Sequence, residues 1–397
     1  MSSFDRKSGD RKSGDHKSGD LKSGDRKRKR EFSSKKPEAP REVDAFTSQL
    51  SPSNVHKRGS HMGISRTVSL AIPSSALSSA QSRELRSYLV SQIARAAVLH
   101  EIDEIIIFVD TAQEAAVPEK EKTPAVFFCR LLQYLECPAY LRKAFFPVHS
   151  DLALAGILPQ LDTPHHMRRD AISLYREGVV VEDKAASTGC YVNVGLAKEA
   201  FLPVRIRPGL RVTVQLTNAD EAAANPTLHA KGQPVPPTTV RTKHGIYWGY
   251  KTRLAKSFHE ILSQCPYIRK IKKSQNSEVN DGEEEIENQK ANKGYDFLIG
   301  HSVNGESVNT HLSKHWSGND SSLDDKQHIL IVFGGNTGIE NCIDADETLP
   351  IRGRDADTLF NLWLDLCPQR GSRQVRTEEA VMCGLASLAP IIKGDKI

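Results

Sequence analysis

The sequence lacks long apolar runs. None approaches the roughly 20 residues that a helix needs to cross a bilayer, so we expect no membrane-spanning segment. The chain is charged from Asp5 onward, where a secretory signal would be apolar, and we therefore expect that it is not secreted. Its seven cysteines are scattered without a C-x-x-C pair, which argues against a zinc ribbon or a disulfide scaffold and suits a reducing compartment.

Two nucleotide-binding motifs are also missing. No G-x-G-x-x-G segment occurs with an acidic residue after a second strand, which disfavours a nicotinamide-dependent dehydrogenase. No G-x-x-x-x-G-K-[ST] segment occurs, which disfavours an ATPase of the P-loop class. Hydrophobic residues nevertheless make up 38% of the chain, so there is enough apolar material for a sizeable core.

The net charge of +5 is unevenly distributed. Residues 1–60 hold 16 lysines and arginines against 9 aspartates and glutamates, whereas the rest of the chain holds 38 against 40. The basic surplus therefore belongs to the N-terminal segment. If the remainder binds nucleic acid, it must do so through a local patch rather than through its overall charge.

The N-terminal segment is repetitive. Residues 5–24 are four five-residue copies of the kind D-R-K-S-G, and residues 26–30 are an unbroken basic run. A period of five cannot bury one face of a helix or a strand, so we expect residues 1–63 to be disordered. The basic run is either a nuclear-import signal with nonspecific affinity for RNA or a solubilising tail. We favour the first interpretation, which predicts a nuclear protein.

Beyond the tail, short apolar runs alternate with segments of helical spacing, a pattern that is typical of an α/β layer with a parallel sheet. Strands are predicted at residues 67–72, 105–109, 246–250, 295–299, 328–333 and 358–364. Helices are predicted at residues 79–100, 123–136, 252–264 and 377–388, with Thr377 as the N-cap of the last. The polar segment 272–293 is predicted to be a surface loop.

The pattern changes to short β-like runs separated by glycine and proline between about 163 and 240. Runs at 177–181, 190–195 and 211–216 predict a small OB-like barrel inserted into the α/β domain. Such an insert either binds nucleic acid or is purely structural. The predicted domains are 64–162 and 243–397, which together form the α/β part, and 163–242, which forms the insert. His165 and His166 have no further ligand nearby in sequence, so a structural or RNA-contacting role is favoured over a metal site.

Two strand exits near the C-terminus carry the residues best suited to chemistry. Phe333 is followed by Gly334 and Gly335, and glycine there lets a backbone approach a ligand closely, although a plain tight turn explains it as well. The second exit is a long loop, residues 365–376, which leads into a helix. Its arginines, with Glu378 and Glu379 after them, either bind an anionic or methyl-cationic ligand or are a solvated surface and charges that favour the helix dipole.

Together these exits resemble the cofactor-binding half of SPOUT-class methyltransferases, an α/β family with a C-terminal trefoil knot. Residues 333–335 resemble its first S-adenosylmethionine loop. Residues 375–380, V-R-T-E-E-A, are similar to the L-R-T-E-T-A ending of bacterial ribosomal-RNA uridine-N3 methyltransferases. Segments 164–166, 247–250, 253–255 and 371–373 resemble the eukaryotic and archaeal RNA methyltransferase branch with an OB-like insert. The resemblance covers about residues 66–390.

The resemblance implies a SPOUT-type parallel sheet with a C-terminal trefoil knot, interrupted by the OB-like insert, in a homodimer that acts on RNA without a metal. It implies S-adenosylmethionine bound by Asn304, Gly334, Gly335, Asp365, Leu366, Gly371, Ser372 and Thr377. Family members often have Arg at 304 and Asn-Thr at 365–366. For methyl transfer to uridine N3, the expected catalytic residues are Arg376 and Arg373, which would stabilise the uridine anion, and Glu378, Glu379 or Asp365, which would accept the proton.

The sequence therefore supports two functions of different classes. The first is an S-adenosylmethionine-dependent RNA methyltransferase, possessing the Gly334 and Gly335 loop that cofactor binding needs. The second is a non-catalytic protein on the same scaffold that holds RNA or a ribosomal or mitotic assembly. The presence of the glycine loop favours the enzyme.

Overall fold

A computed structural model of the protein describes residues 66–111, 114, 123–182, 188–268, 293–315 and 328–393. The predicted tail and most of the predicted surface loop at 272–293 lie outside these residues. The strands are β1 Thr67–Pro73, β2 Glu104–Phe108, β3 Tyr175–Val180, β4 Cys190–Asn193, β5 Ala200–Leu202, β6 Arg211–Leu216, β7 Gly232–Val235, β8 Lys251–Ala255, β9 Phe297–Ser307, β10 His328–Val332 and β11 Leu362–Asp365. The helices are α1 Arg83–Leu99, α2 Pro124–Glu136, α3 Ala139–Phe145, α4 Ala219–Ala224, α5 Pro237–His244, α6 Phe258–Ser263, α7 Val308–His315, α8 Ile339–Asp344 and α9 Thr377–Lys393. Short 3-10 helices lie at Ser74–Ser79, Ser150–Leu152, Ala155–Ile157 and Gly353–Leu359.

Six strands form a parallel sheet in the order β11-β9-β10-β1-β2-β8. Its central strands are mostly apolar on both faces, because helices cover both. Leu70 of β1 faces a core that includes residues of α1, α2 and α9. Its neighbour Ala71 faces the opposite core, with residues of α6 and α8. The predicted strands 67–72, 105–109 and 328–333 are confirmed, since burial on both faces produces the continuous apolar runs seen in the sequence.

Strands β3 to β7 form a separate antiparallel sheet in the order β5-β4-β3-β6-β7. Its two edge strands meet, because Phe201 of β5 bridges to Lys231 beside β7. The sheet is therefore nearly closed, and it encloses its own core around Val192, Leu202 and Val214. The prediction of an α/β fold with a parallel sheet and a separate β segment is confirmed at this level of detail.

The prediction of a strand at 246–250 followed by a helix at 252–264 is wrong. The segment before β8 is irregular, and Gly249 lies in the left-handed region with φ of +85°. Its aromatic side chains are buried although the segment is not a strand, and they donate hydrogen bonds to different parts of the core. Tyr247 donates to the carbonyl of Ile102 and Tyr250 to that of Leu132. The strand is β8, and α6 begins only at Phe258.

Three further boundaries differ from the prediction. The predicted strand 358–364 is a 3-10 helix at its start, and only Leu362–Asp365 pairs in the sheet. The predicted strand 295–299 is observed as Phe297–Ser307. Gly300 pairs with Trp363 and Glu306 with Leu364, so residues 301–305 form a bulge between these two pairs. The last helix continues beyond the predicted end to Lys393. Its N-cap is Arg376 and not Thr377, because the backbone N–H of Ala380 donates to the carbonyl of Arg376.

An ionic cluster joins the antiparallel sheet to the C-terminal end of α2, with two buried carboxylates, Glu136 and Glu177, around the partly exposed Arg211. Arg211 of β6 donates to Glu136 Oε2 at 2.7 Å and Oε1 at 3.0 Å, and to Glu177 Oε2 at 2.7 Å. His165 and His166 both contact the carbonyl of Glu136 through Nε2, at 2.9 and 2.7 Å. A carbonyl only accepts hydrogen bonds, so both rings carry a proton on Nε2. The histidine pair therefore has a structural role at this junction, which is one of the two roles that the sequence favoured over a metal site.

Within the described ranges, no helix combines the length and apolarity required to cross a membrane.

Candidate active site

The loops predicted to bind a cofactor come together because of strand order. Strands β11, β9, β10 and β1 are neighbours and parallel, so their carboxyl ends meet at one edge of the sheet. In open α/β sheets, ligands bind at this edge. The edge is built from the loop 334–338 after β10, the bulge 301–305 in β9, the loop after β11 and the start of α9.

The glycines of the loop after β10 are required by the protein's own packing. A Cβ at Gly334 would overlap the backbone of Ile339, and a Cβ at Gly335 would overlap Ser75 Oγ. Gly338 has φ of +90°, a conformation that side chains disfavour. A tight turn, the simpler of the two predicted explanations, therefore already accounts for these residues. It leaves backbone groups at the sheet edge, and cofactor contacts at Gly334 and Gly335 stay a prediction.

Asp110 lies behind this loop and was not found from the sequence. It follows β2 by two residues, and its carboxylate accepts hydrogen bonds from Ser75, through Oγ and, at 3.1 Å, through the backbone N–H. The Cys342 thiol donates to Asp110 Oδ2 at 3.6 Å. Asp110 thus holds Ser75 against Gly335. A polar residue directly after a buried strand was the signal that could have identified it.

The packing at Gly335 leads to a double-mutant prediction. Gly335→Ala should lower the free energy of unfolding by about 1–3 kcal/mol, because its Cβ overlaps the Ser75 hydroxyl. Ser75→Ala removes that hydroxyl, so the double variant should recover part of the loss. Chemical denaturation of the four proteins measures this coupling, and purely additive effects would contradict it.

Asn304 lies in the bulge of β9, where it is held by an acidic residue that the sequence analysis missed. Asn304 Nδ2 donates to Glu340 Oε1 at 2.9 Å, and Ser302 Oγ donates to the same oxygen. Glu340 lies in the first turn of α8, directly after the glycine loop. Gly305 faces the backbone of Leu364, which a Cβ would meet at 2.6 Å. The bulge therefore brings Asn304 to the loop through Glu340.

Asp365 and Leu366 are fixed at the end of β11. Asp365 accepts the backbone N–H of Cys367 at 3.0 Å and pairs with Arg370 at 3.2 Å. The Leu366 side chain is buried against Gly384 of α9, and its backbone N–H donates to His301 Nδ1 at 3.3 Å. The same Nδ1 atom lies 3.3 Å from the carbonyl of Leu364, and burial lowers the pKa of His301.

The remainder of the long loop is open to solvent. Gly371, Ser372 and Arg373 are exposed, and the Ser372 hydroxyl donates to the carbonyl of Gln374 at 2.7 Å. Arg376 is also exposed. Their predicted roles therefore depend on a bound cofactor or RNA.

The start of α9 contacts the glycine loop directly. Thr377 Oγ1 donates to the carbonyl of Gly334 at 3.3 Å, instead of capping the helix as predicted. The N-cap is supported by Glu379, whose Oε2 accepts the backbone N–H of Arg376 at 3.0 Å. Glu379 is exposed and has the helix-stabilising role that was one of its two interpretations.

Glu378 is different from its neighbour. It is only 7% exposed, and its Oε2 atom has no hydrogen-bond partner among the described residues. Burial raises the pKa of Glu378. A buried carboxylate oxygen without a partner is costly for the fold, which is a recurrent property of functional groups.

No group of three or more histidine, cysteine, aspartate or glutamate residues in the described part of the chain is arranged to hold a metal ion.

Comparison with known proteins identifies the family. A family described as "Putative RNA methyltransferase" matches residues 67–388. A 28S rRNA (uridine-N(3))-methyltransferase from Homo sapiens is 40% identical over 332 residues, which are 82% of this chain and 78% of the human protein. The protein of the same description from Mus musculus is 40% identical over 339 residues, 83% of this chain and 78% of the mouse protein. The one from Drosophila melanogaster is 37% identical over 336 residues, 81% of this chain and 61% of the fly protein. The match covers both strand exits at the sheet edge, and the chain therefore belongs to this family of RNA methyltransferases.

Proposed function

We propose that this methyltransferase transfers the methyl group of S-adenosylmethionine to N3 of a uridine in structured RNA. The observation that carries the proposal is the junction of the two predicted loops, where Thr377 of the T-E-E-A segment bonds the carbonyl of Gly334. The relatives described as 28S rRNA (uridine-N(3))-methyltransferases support the same base and atom and point to ribosomal RNA as the substrate class.

Backbone and polar groups at the sheet edge support the binding of such a cofactor. Backbone groups of Gly334 and Gly335 and the side chain of Asn304 would line one side of its site. The residues that would line the other are Asp365, Leu366, Gly371, Ser372 and Thr377. When bound, S-adenosylmethionine supplies a methyl group that the positive charge of its sulfonium already activates. The chain's own task is to align the accepting atom with that methyl group, and such alignment can lower a barrier by several kcal/mol.

The chain must also handle a proton, because N3 of uridine carries one. Glu378 is the group that we assign to accept it, since its Oε2 is buried without a described partner and its pKa is raised by burial. The exposed Arg373 and Arg376 would stabilise the negative charge on the base. N3 lies on the pairing edge, so the uridine must be unpaired or flipped out of a helix.

The architecture that we propose around this site is that of the SPOUT class. The nearly closed sheet β3 to β7 supports an OB-like barrel for residues 163–242, and the parallel order β11-β9-β10 is compatible with a trefoil knot in residues 243–397. We also propose a homodimer, because the family resemblance implies one. The basic segment 26–30 supports nuclear localisation and nonspecific attraction to RNA.

The proposal is tested by following tritiated methyl groups from S-adenosylmethionine into ribosomal RNA from cells that lack the protein. We expect incorporation into that RNA and little into RNA from normal cells, whose sites are already modified. Nuclease digestion and chromatography of nucleosides should place the label in 3-methyluridine. Label on a ribose or on guanine would contradict the uridine-N3 assignment, whereas no incorporation with any RNA would contradict the transfer reaction itself.

A further inference from the structure

Glu340 places a carboxylate between two walls of the proposed cofactor site. On one side, its Oε1 accepts hydrogen bonds from Ser302 and from Asn304 in the bulge of β9. On the other side, its Oε2 lies next to Gly338, where a Cβ would meet it at 2.8 Å. Glu340 is half-buried, and its negative charge acts to raise the pKa of His301 and of Cys342.

This carboxylate has only neutral hydrogen-bond donors in the described part of the structure. Its partners are a hydroxyl and an amide, and it forms no ion pair with a described lysine, arginine or histidine. Asp365, at the same sheet edge, is by contrast paired with Arg370. A partly buried negative charge without a cation favours binding of a positively charged ligand group, because the ligand then supplies the missing compensation.

We propose that Glu340 determines the preference of the site for the methyl donor over the spent product. The inference rests on the proposed use of S-adenosylmethionine. The donor carries a positive sulfonium, and the product, S-adenosylhomocysteine, carries a neutral thioether at the same position. A nearby carboxylate therefore attracts the donor more strongly than the product, and loss of the positive charge after transfer weakens the hold on the product. Glu340 acts in addition as a positioning residue for Asn304.

The test is Glu340→Gln in the full-length protein, with dissociation constants for the donor and the product measured by titration calorimetry. The amide oxygen of glutamine still accepts from Ser302 and Asn304, so the geometry of the bulge is kept while the charge is removed. We expect the affinity for the donor to fall about tenfold and that for the product to change less than about twofold, as loss of one nearby charge predicts. An analogue with a protonated amine in place of the sulfonium should lose affinity in Glu340→Gln to about the same extent as the donor.

Glu347→Gln is the matched control, because Glu347 is an exposed glutamate shortly after α8 and its charge faces solvent. It should leave the ratio of the two dissociation constants unchanged. A measurement on the wild-type protein gives an independent check that needs no variant. Raising the salt concentration should weaken binding of the donor more than binding of the product.

The outcomes separate the inference from the proposed function. If the wild-type protein binds neither ligand, the proposed use of S-adenosylmethionine is wrong, and the inference fails with it. If it binds both and Glu340→Gln weakens both equally, Glu340 is only structural and the inference alone is overturned. An unchanged ratio in Glu340→Gln, together with equal salt dependence of the two ligands, overturns it as well.

Discussion

Replacing Glu378 by glutamine should lower the rate of methyl transfer to RNA by a factor of about 100 or more, because positioned acid–base groups contribute at least that much. The affinity for the methyl donor should stay the same, since glutamine preserves the shape of the side chain. The reason lies in the environment of the carboxylate: Glu378 is 7% exposed, and its Oε2 has no partner among the described residues. Single-turnover incorporation of tritiated methyl groups measures the chemical step directly.

The pH profile distinguishes a proton acceptor from a structural residue. The acceptor must be unprotonated, and burial raises the pKa of Glu378. The rate of the wild-type enzyme should therefore fall as the pH decreases through that raised pKa, at a higher pH than for an exposed glutamate. The Glu378→Gln variant should lack this decrease. Equal profiles in the two proteins would exclude Glu378 as the base.

Two controls separate chemistry from folding. Glu379→Gln changes the adjacent exposed glutamate, so its rate should remain within a few-fold of wild type. A group whose folded-state pKa is raised stabilises the fold at low pH and loses that contribution as pH rises through the raised value. Above its raised pKa, Glu378 therefore adds no such stability, and Glu378→Gln should melt no lower than wild type there. Full activity in this variant would remove Glu378 from the mechanism.

Replacing Arg211 by methionine should lower the free energy of unfolding by about 3–5 kcal/mol, because it leaves buried carboxylates without their cation. Arg211 makes three hydrogen bonds of 2.7–3.0 Å to Glu136 and Glu177. Both carboxylates are buried, at 7% and 2% exposure. Denaturant titration at neutral pH measures the change. Arg207→Met is the control, since Arg207 is an exposed arginine shortly before β6 and should change the value by less than about 0.5 kcal/mol.

The same cluster predicts how stability depends on pH. Burial by itself raises the pKa of Glu136, but the hydrogen bonds and charges of His165 and Arg211 outweigh it and lower the pKa to about 2. The stability that Glu136 contributes is therefore complete above its ordinary pKa of 4.5 and is lost as pH falls toward about 2. Without Arg211 the pKa of Glu136 rises toward its ordinary value, so the stability that is lost as pH falls below 4.5 should be smaller than in the wild-type protein. A variant with wild-type stability over this whole range would show that the pair contributes nothing.

The parts of the fold that the sequence predicted well are those where burial alone selects the residues. The strands β1, β2 and β10 are covered on both faces, so most of their positions are apolar and the runs are visible without knowledge of their neighbours. Strand β8 was mistaken for a helix because it is an edge strand whose Arg253 is satisfied by Glu104 of β2 at 2.8 Å. A polar residue in such a place fits a strand only once its partner, 149 residues away in sequence, is known.

The candidate site divides in the same way. Gly334, Gly335 and Thr377 were found because a glycine-rich strand exit and a helix start have local signals. Glu340 was missed because nothing in its local sequence shows that it contacts Ser302 and Asn304, and the position of Asp110 after a buried strand does not reveal its contact with Ser75. Tertiary contacts also explain why glycine is needed in this loop, since Ser75, which follows β1, fills the space beside Gly335.

By itself the sequence determined the α/β class, the position of a separate β segment and the methyltransferase family, because periodicity and short motifs are properties of neighbouring residues. Only the tertiary structure decided that Glu378 is buried, with no partner for its Oε2 among the described residues, while Glu379 caps the helix, although the two are adjacent. It also decided that Arg211 and the two histidines join the antiparallel sheet to α2, and that Glu340 lies between β9 and the glycine loop. The physical reason is that burial, charge compensation and the pKa of a carboxylate depend on groups brought together by strand order, and strand order is not encoded in any local pattern.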